Sequence, residues 1–535
     1  MPIDEEKLRK LNELKKLQVN PYPYRFEQKN LAQDVKDNFT KLENKTVAVA
    51  GRMMSKRGHG KLIFSDLMDS SGKIQIMLSE KDLGEENFKL LSLFDVGDIF
   101  GVIGKVVKTR AGEISIFASK IEMLSKSLRR LPSAWYGLKD KEVRYRQRYV
   151  DLIINPDVRK TFVMRSRVIS AMRSVLDSKG FLEVETPVLQ PIYGGAAARP
   201  FKTFLNELKM DVYLRISNEL YLKRLIVGGF DKVYEFAKDF RNEGIDKTHN
   251  PEFTQVELYW AYADYNDIMD IFEELIREAA MKALGTTKIE FNGQKIDLSK
   301  KWRRLPMLEG IKQYAKIDAE KMSLSELKKF CEKNKIEIEN SMSKGLIINE
   351  IFEAIVEPHL VEPTFVMDHP KETTPLCKVH RKNPDLVERF EAYVGGMEVC
   401  NAYSELNDPQ VQKELLKEQV NLRELGDEES HPMDDDFVRA LEYGMPPTGG
   451  LGIGIDRITM LFANTQLIRE VLFFPFMRPL TEAEQKELEK EEEEASKPVE
   501  QPNQQQKPQP QKQEQKPQQK QPDKNTQANK TVKKK

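Results

Sequence analysis

Between Phe240 and Trp260 the chain reads FRNEGIDKTHNPEFTQVELYW. Arg241, Glu243, His249, Phe253, Glu257 and Tyr259 fall here on two runs of chain, joined by a loop that holds Gly244, Asp246, Asn250 and Pro251. Cations, carboxylates and aromatic faces at this density mark a candidate site, although the stretch alone does not name its ligand.

Two further stretches carry chemistry. In VERFEAYVGGMEVCNAYSELND, residues 387–408, Gly395-Gly396 between alternating apolar runs is a strong two-residue hairpin signal. Val394 then opposes Met397 and Tyr393 opposes Glu398, so strand alternation puts Glu391 and Glu398 on one face, about 6–8 Å apart on the diagonal. Two carboxylates that close call for a cation between them, and a hard divalent ion sharing its sphere with phosphate oxygens and water suits the pair. A solvated charged face is the plainer alternative. In MPPTGGLGIGIDRITMLFAN, residues 445–464, the glycines lack dinucleotide-fingerprint spacing, and the chain has no Gly-rich Lys-Ser/Thr phosphate loop. Glycines within a strand signal close approach of backbone or ligand. A helix should follow with Arg457 in its first turn, where a forked guanidinium suits phosphate and flat rings.

These residues must be positioned by a large scaffold. At 535 residues, a prior of roughly one domain per 150 residues suggests two to four domains. Lys plus Arg equals Asp plus Glu at 85 each, so no global basic surface is present. Three scattered cysteines, Cys331, Cys377 and Cys400, and six histidines without ligand spacing indicate neither a disulfide framework nor a zinc site. The charged N-terminus has no apolar leader core, and no uncharged apolar run nears the length of a membrane span. A soluble, cytoplasmic protein without membrane partners is expected.

Leu8, Leu11, Leu14 and Leu17 share a helical face in an arm over 1–44, which should pack on its own protein. Period-two patterning over 45–125 gives five strand-like runs, which suits a small barrel of the OB type. Arg52, Phe64, Gln75 and Glu113 offer that barrel one stacking face and several hydrogen-bonding groups. Residues 126–156 read as a basic, aromatic linker that serves as an RNA contact or a hinge. Residues 157–482 alternate helices (160–180, 264–284, 456–470) with strands from distant parts of the chain, an α+β pattern on an antiparallel sheet with a helical insertion near 301–350. Residues 483–535, rich in Glu, Gln, Lys and Pro, should be disordered.

The stretches GFLEVETP, FRNEG…NPEFTQVELYWAY and GLGIGIDR, in that order, resemble motifs 1, 2 and 3 of the class II aminoacyl-tRNA synthetases. With GGAAARPF, YLRISNELYLKRLIVGG and YSELND beside them, the pattern resembles the lysyl-tRNA synthetases from the arm to about residue 480. The resemblance implies ATP, L-lysine and tRNA(Lys) as substrates, a homodimer with Pro187 at its interface, and up to about three Mg²⁺ per subunit. It implies that Arg241 holds the α-phosphate and lysine carboxylate, Glu243 meets the adenine amino group, Phe253 stacks under adenine, Arg457 covers the ring's other face and reaches the γ-phosphate, and His249 lies over the distal phosphates. Glu391 and Glu398 would bind Mg²⁺. Gly195, Glu219 and Glu257 would hold the α-ammonium, Tyr259 and Glu405 the ε-ammonium, and Asn401 the carboxylate. Asn401 facing the same way as Glu398 requires a bulge or strand end between them. Cys400, Ala402 and Tyr403 depart from the Gly, Gly and Phe of the usual pattern. Ala402 would be strained at positive φ, and the Tyr403 hydroxyl, near the aliphatic part of lysine, needs a partner. In the barrel, Phe64 would stack an anticodon base while Arg52, Gln75 and Glu113 read base edges.

Three rivals remain. A relative specific for Asp or Asn would need a cation where Glu219 and Glu405 stand. A lysyltransferase that modifies an elongation factor lacks the barrel. A non-catalytic tRNA-binding regulator would be expected to have lost some of Arg241, Arg457, Glu391 and Glu398, and all are present.

Overall fold

The computed structural model describes residues 3–132, 140–426 and 429–495. Strands β1 (Thr46–His59), β2 (Leu62–Met68), β3 (Lys73–Ser79), β4 (Ile99–Lys108) and β5 (Ile114–Ser125) close into a barrel in the order β1-β2-β3-β5-β4. Alternation fills it: Val49, Met53, Leu67, Ile74, Ile76, Phe100, Val102 and Ile116 are buried inside. Phe64 points the other way. It lies opposite Met77 and Arg57, and Asp66, two residues on, lies opposite Gln75.

The helix Glu5–Lys16 packs on the barrel through Leu11 and Leu14, while Leu8 and Leu17 stay exposed, so only the middle half of the leucine face is used. Lys10 pairs with Asp95 at 2.6 Å. The basic connector is largely structural where it is described. Lys126 is buried against Asp95 and Asp98 at 2.6 and 2.8 Å, and Arg148 against Asp151 at 2.6 Å. Two short helices, Lys141–Arg146 and Arg148–Ile154, lead from it into the next domain. The connector residues 133–139 lie outside the described residues.

Eight strands form the large sheet, in the order Arg303–Pro306, Thr364–Pro370, Leu386–Val394, Met397–Ser404, Thr448–Gly454, Glu252–Ala261, Lys232–Phe240 and Leu182–Glu183. The six central strands run antiparallel; the outermost pair at each edge is parallel. The run VYLRIS does not join this sheet: its first residues belong to Met210–Leu214, the centre of a separate three-stranded sheet. Helices Pro156–Ser178, Tyr265–Leu284 and Ile455–Phe462 cover one face, with Val168, Met172, Leu176, Phe272, Leu275, Ile276, Ile458 and Leu461 buried in a common core. Val256, Leu258, Phe390, Ala392, Cys400, Ala402, Leu451 and Ile453 meet them from the strands.

The insertion near 301–350 is helical in Met307–Tyr314, Leu324–Asn334 and Lys344–Ile351, but its first residues, Arg303–Pro306, are a sheet strand instead. The expectation of disorder from residue 483 also needs correction. Glu482–Ala495 is a helix, because Thr481 and Glu484 form a reciprocal cap at 2.9 and 3.3 Å and the following Glu, Lys, Leu and Ala are good helix formers. Residues 496–535, the rest of that expectation, lie outside the described residues. No described helix is long and apolar enough to cross a membrane.

The turn that joins Leu386–Val394 to Met397–Ser404 is the expected glycine pair, with φ of 65° at Gly395 and 72° at Gly396. Both central residues are left-handed, as a type I′ hairpin requires. A Cβ on Gly395 would stand 2.5 Å from the Phe291 ring. Gly395→Ala is therefore expected to cost about 1–3 kcal/mol of stability, read as a lower midpoint in urea unfolding, with Gly396→Ala milder because its Cβ meets nothing closer than 3.9 Å.

Candidate active site

The face of the sheet opposite the helices is open. Alternation along the same strands turns Glu257, Tyr259, Arg389, Glu391, Asn401, Tyr403, Glu405, Gly450 and Gly452 onto it, where they line a cavity of about 580 Å³. Gly195, Glu219, Arg241, Glu243, His249, Phe253, Glu398 and Arg457 complete its walls. All fourteen residues expected around nucleotide and amino acid thus come together. Pro187 lies outside the cavity, exposed beside Val188 and Leu189. Arg52, Phe64, Gln75 and Glu113 lie on the barrel, where Arg52 donates to the Gly97 carbonyl at 2.6 Å and Gln75 accepts from Ser115 at 2.9 Å. Asp66 and Arg57 on the same barrel face escaped the sequence reading, although period-two spacing from Phe64 would have found Asp66.

A bulge brings Asn401 onto the face of the acid pair. Tyr393 pairs with Glu398 as expected, but Ala392 pairs with Cys400, which leaves Val399 as the extra residue. Without it, Glu398 and Asn401 would face opposite ways; with it, both reach the cavity and Asn401 lies across from Glu391. Ala402 sits in ordinary strand conformation, since its φ is not positive, so the alanine carries no strain.

At one end of the cavity, Arg241 lies 5.0 Å over the Phe253 ring. Arg457, in the first turn of Ile455–Phe462, reaches Glu398 at 2.6 Å and stands 3.2 Å from His249 Nε2. Asp456 next to it accepts the Thr254 amide at 2.8 Å and pairs with Arg165, which fixes the helix start to the sheet. The His249 Nδ1 is 2.8 Å from Asp246. Burial opposes the Asp246 charge, but hydrogen bonds from the His249 ring and from the Thr248 and His249 amides draw its pKa down to about 2.

The acid pair is held by cations of the chain itself. Glu391 accepts from Arg389 at 2.5 Å and from the Tyr393 hydroxyl at 2.7 Å, while Glu398 takes Arg457. Glu357 lies close by, and burial together with Glu353, Glu391 and Glu398 pushes its carboxyl up to about 7. With Glu353 and Glu357 beside the pair, the corner holds more carboxylates than arginines, which fits a hard cation that brings phosphate and water as further ligands. Among the described residues no group of three or more His, Cys, Asp or Glu is placed to hold a metal ion, so an ion here would depend on ligands from outside the chain. Arg389 was missed by the sequence reading, although it is two residues from Glu391 on the same strand face; it also donates to Asn401 Oδ1 at 3.0 Å.

The other end is a buried acidic floor. Glu257 accepts from Ser217 at 2.9 Å, Gln255 at 2.6 Å and Tyr259 at 3.1 Å. Glu219 accepts the Tyr403 hydroxyl at 2.5 Å, which gives that unusual tyrosine its partner. Lys223, also missed, binds Glu219 at 2.5 Å and pairs with Glu405. Its position four residues after Glu219 on one helix was the available signal. Glu405 Oε1 has no hydrogen-bond partner. The glycine strand makes the room: a Cβ on Gly450 would stand 2.0 Å from that oxygen and 2.6 Å from the Tyr259 ring. Burial, with Asp239 and Glu219 adding repulsion, raises the Glu257 pKa well above its ordinary value. Burial likewise raises Glu405, with Lys223 opposing and Glu219 and Glu257 reinforcing the rise.

Residues 140–478 match the model of the class II tRNA synthetases (D, K and N), and residues 47–124 match that of the OB-fold nucleic acid binding domain. The chain is 54% identical over 475 residues to the lysine–tRNA ligase of Carboxydothermus hydrogenoformans, an overlap of 88% of this chain and 97% of that one. The chain belongs to the lysine–tRNA ligase family of the class II tRNA synthetases. The lysine–tRNA ligase of Pelotomaculum thermopropionicum is 54% identical over 88% of this chain and 94% of its own length, and that of Clostridium botulinum strain Langeland is 53% identical over 89% and 95%.

An ammonium ligand entering the floor should strip protons from Glu257 and Glu405, because their raised pKa values fall once a cation pairs with them. Both pKa values are high when the site is empty, so affinity is lost as pH falls through them and is full above them. Calorimetric titration with L-lysine in buffers of different ionisation enthalpy is expected to show proton release; none, or proton uptake, would contradict these assignments.

Proposed function

We propose that the cavity joins L-lysine to AMP at the expense of ATP, and that the barrel holds the anticodon of tRNA(Lys) while the lysyl group passes to the terminal ribose. The observation that carries this reading is the two-ended cavity itself, with arginines and an acid pair at one end and three buried glutamates at the other, in a chain of the lysine–tRNA ligase family. ATP would lie with adenine on Phe253 below Arg457, its amino group near Glu243 and its phosphates toward Arg241 and His249. Lysine would place its ammonium groups on Glu219, Glu257, Glu405 and Tyr259, with the Gly195 carbonyl, and its carboxylate between Asn401 and Arg241.

In the first step a lysine carboxylate oxygen attacks the α-phosphorus in line, and the bond to pyrophosphate breaks. Arg241 spreads the developing negative charge, and the two ends of the cavity hold the reacting atoms within reach. Mg²⁺, when bound by Glu391 and Glu398, would supply charge neutralisation at the phosphates. In the second step a ribose hydroxyl of the tRNA attacks the lysyl carbonyl and AMP leaves. No side-chain nucleophile is needed.

Homodimerisation is part of this proposal. Leu182, Val188, Leu189 and Phe204, on the sheet edge and the small sheet beside Pro187, are each 40% exposed or more, an apolar strip that a second copy would cover. We place the activity in the cytoplasm, with its tRNA partner. The closed barrel speaks against the elongation-factor lysyltransferase, and the retained arginines against a non-catalytic regulator.

Amino-acid-dependent ATP–pyrophosphate exchange across the twenty amino acids is expected to respond to lysine; exchange with aspartate or asparagine, or none with lysine, would overturn the proposal. Phe64→Ala should spare exchange and weaken tRNA charging by about tenfold or more, the equivalent of losing one base–aromatic stack. Equal loss of both activities would show that the barrel is not a separate tRNA module.

A further inference from the structure

The floor of the cavity contains a cation that no ligand brings. Lys223 projects from the helix Glu219–Val227 and is completely buried. Its ammonium lies 2.5 Å from Glu219 Oε1, forms an ion pair with Glu405 Oε2, and sits 5.5 Å from the centre of the Tyr403 ring. It does not line the cavity; it stands behind two of the carboxylates that do.

The groups facing it come from several elements. Glu219 shares its helix, Glu405 and Tyr403 come from the end of the central sheet, and the thiol of Cys377 and the ring of His431 approach from loops. Burial, reinforced by Lys223, pushes His431 down to about 4, so it stays neutral. Across the cavity stand Tyr259 and Glu257, and behind Glu257 the buried Asp239, whose charge Arg215 at 3.1 Å and Arg241 offset, so it stays outside the charge count of the floor. Burial alone would discharge Lys223, but Glu219 and Glu405 outweigh it and hold the ammonium charged.

Glu219, Glu257 and Glu405, ionised, supply three negative charges, and Lys223 returns one. We propose that Lys223 is a specificity-setting residue whose fixed ammonium leaves the pocket two negative charges from neutrality, matched to an amino acid that brings two ammonium groups. A pocket of three glutamates without it would be neutralised by two ammonium groups only after a proton was taken up as the third. With Lys223 present, each oxygen of the Glu219 carboxylate already accepts one hydrogen bond, from Lys223 and from Tyr403, whereas Glu405 Oε1 accepts none and is the most open to the ligand. Lys223 therefore also decides which carboxylate oxygens await the substrate. This inference rests on the proposed reading of the floor as the lysine pocket.

The test is the pH profile of the KM for lysine in pyrophosphate exchange. In the wild type KM should fall as pH rises and then level off, as protons leave Glu257 and Glu405. In Lys223→Met those carboxyls lose a neighbouring cation and hold their protons more tightly, so the levelling point should move up by about one pH unit or more. KM for lysine at neutral pH should rise about tenfold, while KM for ATP stays within about twofold, since Lys223 touches no phosphate. Lys223→Arg, which keeps the charge, should keep the wild-type levelling point. If Lys223→Met does not fold, Lys223→Gln decides: it keeps a hydrogen-bond donor toward Glu219 without the charge, and its levelling point should move up as that of Lys223→Met does. An unmoved levelling point in the variant that folds, or a shifted one in Lys223→Arg, would overturn the proposal. The profile of Glu405→Gln separates the two ideas. If lysine KM ignores that change, the pocket reading itself fails; if it responds while Lys223→Met leaves the profile in place, only the role of Lys223 fails.

Discussion

Glu219, Glu257 and Glu405 are buried within one cavity floor, and like charges held out of water repel. The surrounding chain is arranged around that repulsion. Tyr259, Ser217 and Gln255 give hydrogen bonds to Glu257, Tyr403 gives one to Glu219, and Lys223 stands between Glu219 and Glu405. Even so, Glu405 Oε1 is left without a donor. On the proposed reading, a ligand that carries ammonium groups completes the floor. One that lacks them leaves buried acceptors empty, which costs far more than a lost methylene contact.

The sheet is what permits such a floor. One face of the central strands is closed by helices and tightly packed, and that core holds the strands in register. The other face is free to carry groups that would be intolerable in a core. The bulge at Val399 and the glycines at 450 and 452 adjust this surface locally: the first turns Glu398 and Asn401 to the same side, and Gly450 clears space beside Glu405 and Tyr259. The helix that starts at Ile455 then delivers Arg457 from the same glycine strand to the opposite end of the cavity. Distance along the chain is irrelevant here; strand order brings residues 255 to 261 beside 448 to 454.

Much of this was legible in the sequence. Period-two patterning marked the barrel, and Gly395-Gly396 set the register of the hairpin, including the Tyr393–Glu398 pair. The need for a bulge followed from asking Glu398 and Asn401 to share a face. Ordered motifs pointed to the cavity residues where single stretches stayed ambiguous. What was not legible depended on three dimensions. Lys223 and Arg389 look like ordinary surface cations in a charged chain, and only burial shows that their partners are acids of the site. The basic linker suggested RNA contact because sequence does not reveal that Arg148 and Lys126 are spent on internal acids. The parallel edge pairs of the sheet and the helix over Glu482–Ala495 depend on tertiary pairing and on a cap that composition alone underweights.

On the proposed reading, the pocket selects charge by leaving one oxygen of a buried carboxylate, Glu405 Oε1, without a donor. Norleucine keeps the chain length of lysine and lacks only the ε-ammonium, so the ratio of kcat/KM for lysine over norleucine in pyrophosphate exchange tests this claim directly. The wild type should discriminate by about 10⁴ or more, as sites with buried polar groups do, and Glu405→Gln should collapse that ratio chiefly by weakening lysine. A ratio that survives Glu405→Gln intact would show that the selection lies elsewhere.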